Sequence, residues 1–288
     1  MSKEATATEP DAVPAEPAVE PAALRAGKDG GLGWGLKTVV ALTSLVLIAP
    51  TAVVIPMSFS GGTTFAFPPK DWSLRWYESF FTSEAWMRAL LTSVQLALLV
   101  AVTATVLGGA AAFGLNRAGF PGRGAIRSLV MAPLIVPSIV VAVSIYGVFL
   151  RWHLTGTPIG FVIGHTVMAL PFVVTVMLTS LSGYDRTLDT AAATLGATPL
   201  TTFLRITVPL IAPGVMSGFA FAFVYSLDEV VIALFLQSPD ITTLPVKMYN
   251  SITLEIDPTI AAASSLMVVA TSFVLLIPQF VRRKRSTR

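Results

Sequence analysis

The sequence contains no cysteine and only two histidines, His153 and His165, among its 288 residues. Without cysteine there can be no disulfide, thiolate metal site or cysteine nucleophile. Two isolated histidines are too few for a zinc site. The chain also lacks a G-x-x-x-x-G-K-[ST] phosphate loop, an H-E-x-x-H motif and a nucleophilic serine motif. The sequence therefore predicts a non-enzyme with no catalytic residues, no metal ligands and no cofactor of its own.

Charge is scarce as well. Only 12% of the residues are charged, 54% are hydrophobic and the mean hydropathy is +0.75. Soluble domains carry roughly 25% charged residues, so this composition could not cover a water-exposed surface. The formal net charge of +3 is too modest to indicate nucleic-acid binding. The lipid bilayer is the solvent that fits this chain.

Six apolar segments, each about as long as the 20 residues that cross a bilayer, predict an all-α, polytopic bundle of six transmembrane helices. They are Thr38–Met57, Ala89–Leu115, Ser128–Leu150, Pro158–Leu181, Pro213–Leu236 and Pro258–Val281. The predicted organisation is a disordered Ala/Pro/Glu-rich tail (1–35), a first helix (36–58), a periplasmic loop (59–88), a core of five helices (89–281) containing a cytoplasmic hairpin (185–209), and a basic tail (282–288).

The basic residues predict the orientation of this bundle. Fourteen of the nineteen lysines and arginines fall on one side of the six segments, including the run Arg282–Arg285. Cytoplasmic loops carry this excess, and an even number of helices places both termini on the same side. We expect both termini in the cytoplasm of a bacterium, with the bundle in the inner membrane.

The first outer loop is rich in aromatic residues, and two interpretations of it stay open. Its aromatic residues are Phe65, Phe67, Trp72, Trp76, Tyr77, Phe80, Phe81 and Trp86. Trp and Tyr are enriched where a membrane meets water, so the loop fits an interfacial belt. It also fits a docking or gating surface for a partner outside the membrane.

The segment 185–209 predicts a helical hairpin on the cytoplasmic surface. Leu188, Ala192 and Leu195 have helical spacing, and Gly196 can end that helix in a left-handed conformation. Thr198 and Pro199 form an N-cap and first-turn pair for a second helix, which we expect to end near Pro209. Such a hairpin either covers the end of the bundle or presents small side chains to another protein.

This segment resembles the conserved loop of binding-protein-dependent ABC permeases. The family pattern is E-A-A, three residues, G, nine residues and I-x-L-P. Here Thr190-Ala191-Ala192, Gly196 and Ile206-Thr207-Val208-Pro209 match every interval, although Thr190 replaces Glu and Val208 replaces Leu. Similarity to spermidine/putrescine-type permeases extends through residues 73–281. It is carried by Trp76-Tyr77, Leu170–Val174, Gly183-Tyr184-Asp185, Ser226–Val231 and Leu244–Tyr249.

The resemblance implies a function and a set of partners. The chain would form half of a translocation pathway with a second homologous permease, two cytoplasmic ATPase subunits that bind ATP–Mg, and a periplasmic solute-binding protein. Its substrate would be a polyamine or related cationic amine; an opine, an aminoalkylphosphonate or ferric iron is the alternative. The residues implied to couple the chain to the ATPase are Asp189, Thr190, Ala191, Ala192, Gly196, Ile206 and Pro209.

An acidic pair, Asp228 and Glu229, interrupts the fifth apolar segment. Carboxylates inside a membrane usually face a cavity or a partner, so the pair is a candidate part of a pathway for a cationic solute. The alternative is that one of them reaches interfacial water or caps a loop. His165, in the fourth segment, is expected to be a packed, hydrogen-bonded residue rather than a proton relay.

Two further classes of function compete with an ATP-driven importer. An autonomous ion-coupled secondary transporter could use Asp228 and Glu229, but it predicts inverted repeats and helices broken at mid-membrane, which the sequence does not indicate. A receptor or scaffold bundle would leave the hairpin spacing a coincidence.

Overall fold

The computed structural model describes residues 34–63, 67–117, 119–255 and 257–286. The predicted disordered tail lies almost wholly outside this part of the chain. Contacts divide the chain into two units, Met1–Ala49 and Pro50–Arg288. The described part of the first unit is the beginning of helix α1, and the second unit is a helical bundle. No strand is present among the described residues.

Twelve α-helices account for most of the described residues. They are α1 Trp34–Ser58, α2 Arg75–Thr82, α3 Glu84–Arg117, α4 Arg123–Met131, α5 Ser138–Arg151, α6 Pro158–Ser182, α7 Thr187–Thr194, α8 Pro199–Thr202, α9 Val208–Asp228, α10 Val231–Leu236, α11 Leu244–Asn250 and α12 Thr259–Ser286. A 3₁₀ turn covers Ala132–Leu134, and π-helical turns cover Phe203–Thr207 and Ser251–Glu255.

Five of the described spans are long and apolar enough to cross a membrane, and a sixth results if α4 and α5 together form one bent span. The expected single helix over Ser128–Leu150 is therefore wrong, because the chain bends by 100° between Arg123–Leu134 and Ser138–Arg151. Pro137, directly before α5, explains the bend. Proline lacks an N–H and disfavours helical geometry at the preceding residue.

Helices α3, α6 and α9 form the centre of the bundle. Their buried side chains are mostly small or β-branched, including Ala104, Val173 and Ala222. Helices in a membrane associate through such close packing. Gly108 shows how close it is: a Cβ at this position would lie 2.8 Å from Cγ1 of Val173. Small residues thus let α3 and α6 approach each other closely.

Part of the aromatic segment 59–88 packs into a core. Phe80 and Trp86 are fully buried against Leu244 and Ile260, joining α2, α3, α11 and α12. The Trp86 indole also donates a hydrogen bond to Oδ2 of Asp257. Phe67, Trp72 and Phe81 are exposed, and Phe65 lies outside the described residues. Whether the loop is an interfacial belt or a docking surface stays a prediction.

Candidate functional site: the hairpin and the helix break

The first limb of the predicted hairpin is α7, and it ends as the sequence predicts. Gly196 has a left-handed φ of +81°. Its N–H donates to the carbonyl of Ala193, and the N–H of Ala197 donates to that of Ala192, each at 3.0 Å. These two bonds are a Schellman motif, in which a left-handed residue satisfies the last free carbonyls of a helix. Space does not require glycine at position 196, because a Cβ there would meet nothing within 4 Å. The left-handed backbone conformation is what favours glycine.

The second limb begins as predicted but does not end as predicted. Thr198 caps α8 by accepting a hydrogen bond from the N–H of Thr201, with Pro199 in the first turn. The chain then passes through the π-helical turn Phe203–Thr207 directly into α9, so Pro199–Asp228 is one continuous span. The expected end near Pro209 is wrong. Proline is tolerated at the beginning of α9, where its missing N–H leaves no helical bond of α9 broken.

The predicted coupling residues fall into two groups by exposure. Thr190, Ala191 and Pro209 are exposed, whereas Ala192 is buried and Ile206 is half-buried. Leu195, expected on an apolar face with Ala192, is instead 88% exposed. The tip of the hairpin therefore presents small and apolar side chains that the described residues of this chain do not cover.

Asp189 faces the bundle rather than the exposed tip. Its Oδ2 pairs with the guanidinium of Arg117 at the end of α3, and its Oδ1 accepts a hydrogen bond from the Tyr184 hydroxyl at 2.8 Å. The Tyr184 oxygen in turn accepts a bond from Oγ1 of Thr207 at 3.2 Å. Partial burial raises the pKa of Tyr184, so the phenol stays protonated and can donate to Asp189.

Sequence reasoning missed Arg117, Tyr184 and Thr207 as members of this site. Arg117 contributed only to the prediction of orientation, and Tyr184 only to the family resemblance. Arg117 and Asp189 are 72 residues apart, and no local pattern reports a contact over that distance. The only signal in the sequence was a basic residue, Arg117, at the end of the second apolar segment.

The acidic pair lies where the fifth apolar segment breaks. Helix α9 ends at Asp228, and α10 begins at Val231. The segment is thus two helices, and the expectation that no helix is broken is wrong here as well as at α4–α5. The two carboxylates have different surroundings: Asp228 is exposed, whereas Glu229 is only 7% exposed.

The Glu229 carboxylate satisfies the beginning of α10. It accepts hydrogen bonds from the backbone N–H groups of Ile232 and Ala233, each at 3.0 Å. Its Oε2 also lies 3.5 Å from Nε2 of His165. Nδ1 of that histidine is 2.9 Å from the hydroxyl oxygen of Ser226. The prediction that His165 is a packed, hydrogen-bonded residue is confirmed.

Asp228 has no comparable enclosure. Among the described residues it makes no hydrogen bond or ion pair with another side chain. Neither Asp228 nor Glu229 belongs to a cluster of three or more metal-binding side chains in the described part of the chain. The arrangement can hold a helix break in place through Glu229 and offer a carboxylate to a cation through Asp228.

Comparison with known proteins defines the class of this bundle. Residues 104–286 match the model of the family described as binding-protein-dependent transport system inner membrane component. The chain is 33% identical to the putrescine transport system permease protein PotI of Escherichia coli over 245 residues, covering 82% of this chain and 86% of that protein. It is 29% identical to the spermidine/putrescine permease protein PotC of Haemophilus influenzae over 83% of this chain and 93% of that protein.

Solved structures agree on the fold. A bacterial ABC transporter that imports alginate contains a chain with a TM-score of 0.67 at 14% identity, covering 84% of this chain and 93% of that one. An inward-facing methionine transporter, MetNI, gives 0.53 at 16% identity, with 70% and 99% covered. The bundle is therefore a membrane-spanning subunit of an ABC importer. The chain belongs to the family of inner membrane components of binding-protein-dependent transport systems.

Membership in this family decides between the classes of function. An importer permease is a transport subunit and not an enzyme, and it lies in the inner membrane. The chain is therefore assigned to the importer subunits, and not to the autonomous secondary transporters or the receptor scaffolds. The broken helices, expected only for a secondary transporter, occur here in an importer subunit.

Proposed function

We propose that the chain is the permease for a cationic amine, with putrescine or spermidine as substrate. Two relatives, the putrescine permease PotI and the spermidine/putrescine permease PotC, support this substrate class. The observation that carries the proposal is the exposed carboxylate of Asp228 at the helix break, without an ion-pair partner among the described residues. Carboxylates in apolar spans mark pathways for ions and substrates, and an exposed carboxylate can bind a passing ammonium group.

Glu229 has a different role in this proposal. Its carboxylate is already occupied by two backbone N–H groups and lies beside His165. Glu229 therefore fixes the geometry of the break between α9 and α10. That geometry leaves Asp228 exposed. Asp228 is the residue that contacts the substrate, and Glu229 positions it.

The hairpin is the contact with the ATPase. Its tip exposes the side chains of Thr190, Ala191 and Leu195, which are small or apolar and can pack against the surface of another protein. ATP–Mg binds to that partner chain, because this sequence has no phosphate loop. Closure of the ATPase pair pushes on the hairpin and changes the access of the pathway from one side to the other.

The complete assembly contains a second homologous permease and a periplasmic solute-binding protein. The alginate importer has been solved in complex with a periplasmic protein that carries an alginate pentasaccharide. By analogy of fold, the present chain supplies half of a pathway and receives its amine from such a protein.

The proposal is tested with the whole transport system expressed from its own genes in cells that lack endogenous polyamine uptake. Uptake of radiolabelled putrescine is measured with and without unlabelled spermidine, an opine, 2-aminoethylphosphonate or ferric citrate. We expect uptake that only the polyamine inhibits, and that falls in the Asp228→Asn variant at normal permease abundance. No uptake of putrescine by the intact system, or uptake that is unchanged in Asp228→Asn at equal abundance, would contradict the proposal.

A further inference from the structure

Four segments of the chain meet at the base of the hairpin. Arg117 ends α3, Tyr184 follows α6, Asp189 lies in the first turn of α7, and Thr207 ends the π-helical turn before α9. The Arg117–Asp189 ion pair and the hydrogen bonds Tyr184–Asp189 and Thr207–Tyr184 join them into one connected set. We call these four residues the junction. It links both limbs of the hairpin to the ends of the two helices beside them.

Aromatic contacts join the same segments on the apolar side. The guanidinium of Arg117 lies 4.6 Å from the ring centre of Phe113, one turn earlier in α3. The ring of Phe113 packs edge-on against Phe203 in the second limb, with ring centres 4.7 Å apart. Arg186 adds a hydrogen bond to the carbonyl of Asn116. The first limb is therefore fixed to the end of α3 by the Asp189–Arg117 and Arg186–Asn116 contacts, and the second limb by the Phe113–Phe203 contact.

The junction is separate from the surface offered to a partner. The side chains of Asp189 and Arg117 are 22% and 38% exposed, and their charged ends meet each other. Thr190, the next residue, is exposed. Partly shielded ion pairs hold geometry better than fully exposed ones, which contribute little. The junction thus orients the hairpin without forming its outer face.

We propose that the junction transmits force from the hairpin to the pathway helices, with Asp189, Arg117 and Tyr184 as positioning residues. A push on the tip moves α3 and α9 together, because the junction fixes both limbs to α3 and the second limb continues into α9. Without it the hairpin bends at the turn between Ser182 and Thr187, and the motion is lost. This inference rests on the proposed seat of the ATPase on the hairpin.

The test compares variants of the complete complex in proteoliposomes. The variants are Asp189→Asn, Arg117→Gln and Tyr184→Phe, and Arg123→Gln serves as the matched control. Arg123 is an exposed arginine that begins α4, and no hydrogen bond or ion pair among the described residues joins it to the junction. Three quantities are measured: ATPase subunit retained on purification, ATP hydrolysis, and putrescine transported per ATP hydrolysed.

We expect each junction variant to retain the ATPase and its hydrolysis while transport per ATP falls at least about fivefold, the lower end of typical coupling between sites. Arg123→Gln keeps the wild-type ratio. The double variant Arg117→Gln/Asp189→Asn is expected to be no worse than either single variant, because both remove the same interaction. Tyr184→Phe removes one hydroxyl group and keeps the ring, so it tests the junction with little risk to folding.

Three outcomes would overturn the inference. Unchanged transport per ATP in all junction variants would show that the contacts transmit nothing. Loss of the ATPase subunit from every junction variant, Tyr184→Phe included, would show that they only hold the hairpin in shape. A complex with an intact junction and the single substitution Leu195→Cys is treated with a reagent that links a thiol to a nearby amine. Failure to link the permease to the ATPase would instead remove the proposed seat itself. That cross-link separates failure of the proposed function from failure of the junction.

Discussion

Oε2 of Glu229, in the break between α9 and α10, lies 3.5 Å from Nε2 of His165 in α6. Both are almost fully buried. Asp228, which directly precedes Glu229, is exposed. Two consecutive carboxylates in one apolar segment therefore have different physical tasks, and substitutions can separate them.

Neutralising Asp228 and Glu229 one at a time should give two different defects. Asp228→Asn removes a charge with no partner among the described residues, so we expect normal abundance and lowered putrescine uptake. Glu229→Gln replaces one acceptor oxygen with an amide that cannot accept, leaving one backbone N–H of α10 unsatisfied at about 1–3 kcal/mol. We expect lower abundance or a lower melting temperature in detergent. Immunoblotting, thermal unfolding and uptake normalised to abundance separate the defects. Equal defects in the two variants would contradict the division of roles.

Substitution of Gly196 should damage coupling and leave the membrane bundle inserted. A left-handed residue with a side chain costs about 1–2 kcal/mol, and a β-branched one is worse. Gly196→Val is therefore expected to lose ATPase association or transport. Gly124→Val is the matched control, because Gly124 lies in α4, where an added Cβ meets nothing within 4 Å and φ is not left-handed. Normal transport by Gly196→Val would count against a role of the hairpin turn.

Enlarging Gly108 should separate α3 from α6. The nearest atom to an added Cβ is Cγ1 of Val173, part of the central core, and overpacking of this kind costs about 1–3 kcal/mol. We expect Gly108→Leu to lower the thermal stability of the purified permease. Gly114→Leu lies in the same helix, where a Cβ meets nothing within 4 Å, and should change it little. Equal melting temperatures for the two variants would contradict the close packing.

The orientation predicted from the basic residues is tested with reporters. An alkaline phosphatase or green fluorescent protein fused after Arg288 should report the cytoplasm, and one inserted near Gly61 should report the periplasm. Only one span, α1, separates Gly61 from the amino-terminal tail. Reporters that agree on one side would rule out six crossings with both termini in the cytoplasm.

Much of the fold could be predicted from the sequence because lipid leaves a chain few options. Apolar length alone located α3, α6 and α12 to within a few residues at most ends, and Gly196 and Thr198 marked the turn between the two limbs. The breaks were harder. Apolar runs continue through Pro137 and through Glu229, so hydropathy does not reveal that the helix axis changes there.

The sequence predicted the residues of the candidate sites but not the contacts that they make. The spacing of the hairpin motif identifies which residues matter, but not that Asp189 faces inward to Arg117. Likewise, the sequence shows Asp228 and Glu229 as equals. Only tertiary structure brings His165 and two backbone N–H groups to one of them. Contacts between distant segments, unlike helix ends, have no local signature.

The most direct test of the account is ATP-dependent accumulation of labelled putrescine in proteoliposomes that contain the complete complex and the loaded binding protein. The account predicts accumulation that needs ATP on the hairpin side, is unaffected by collapse of ion gradients and falls in Asp228→Asn. Accumulation driven by an ion gradient without ATP, or ATP hydrolysis with no movement of putrescine, would contradict it.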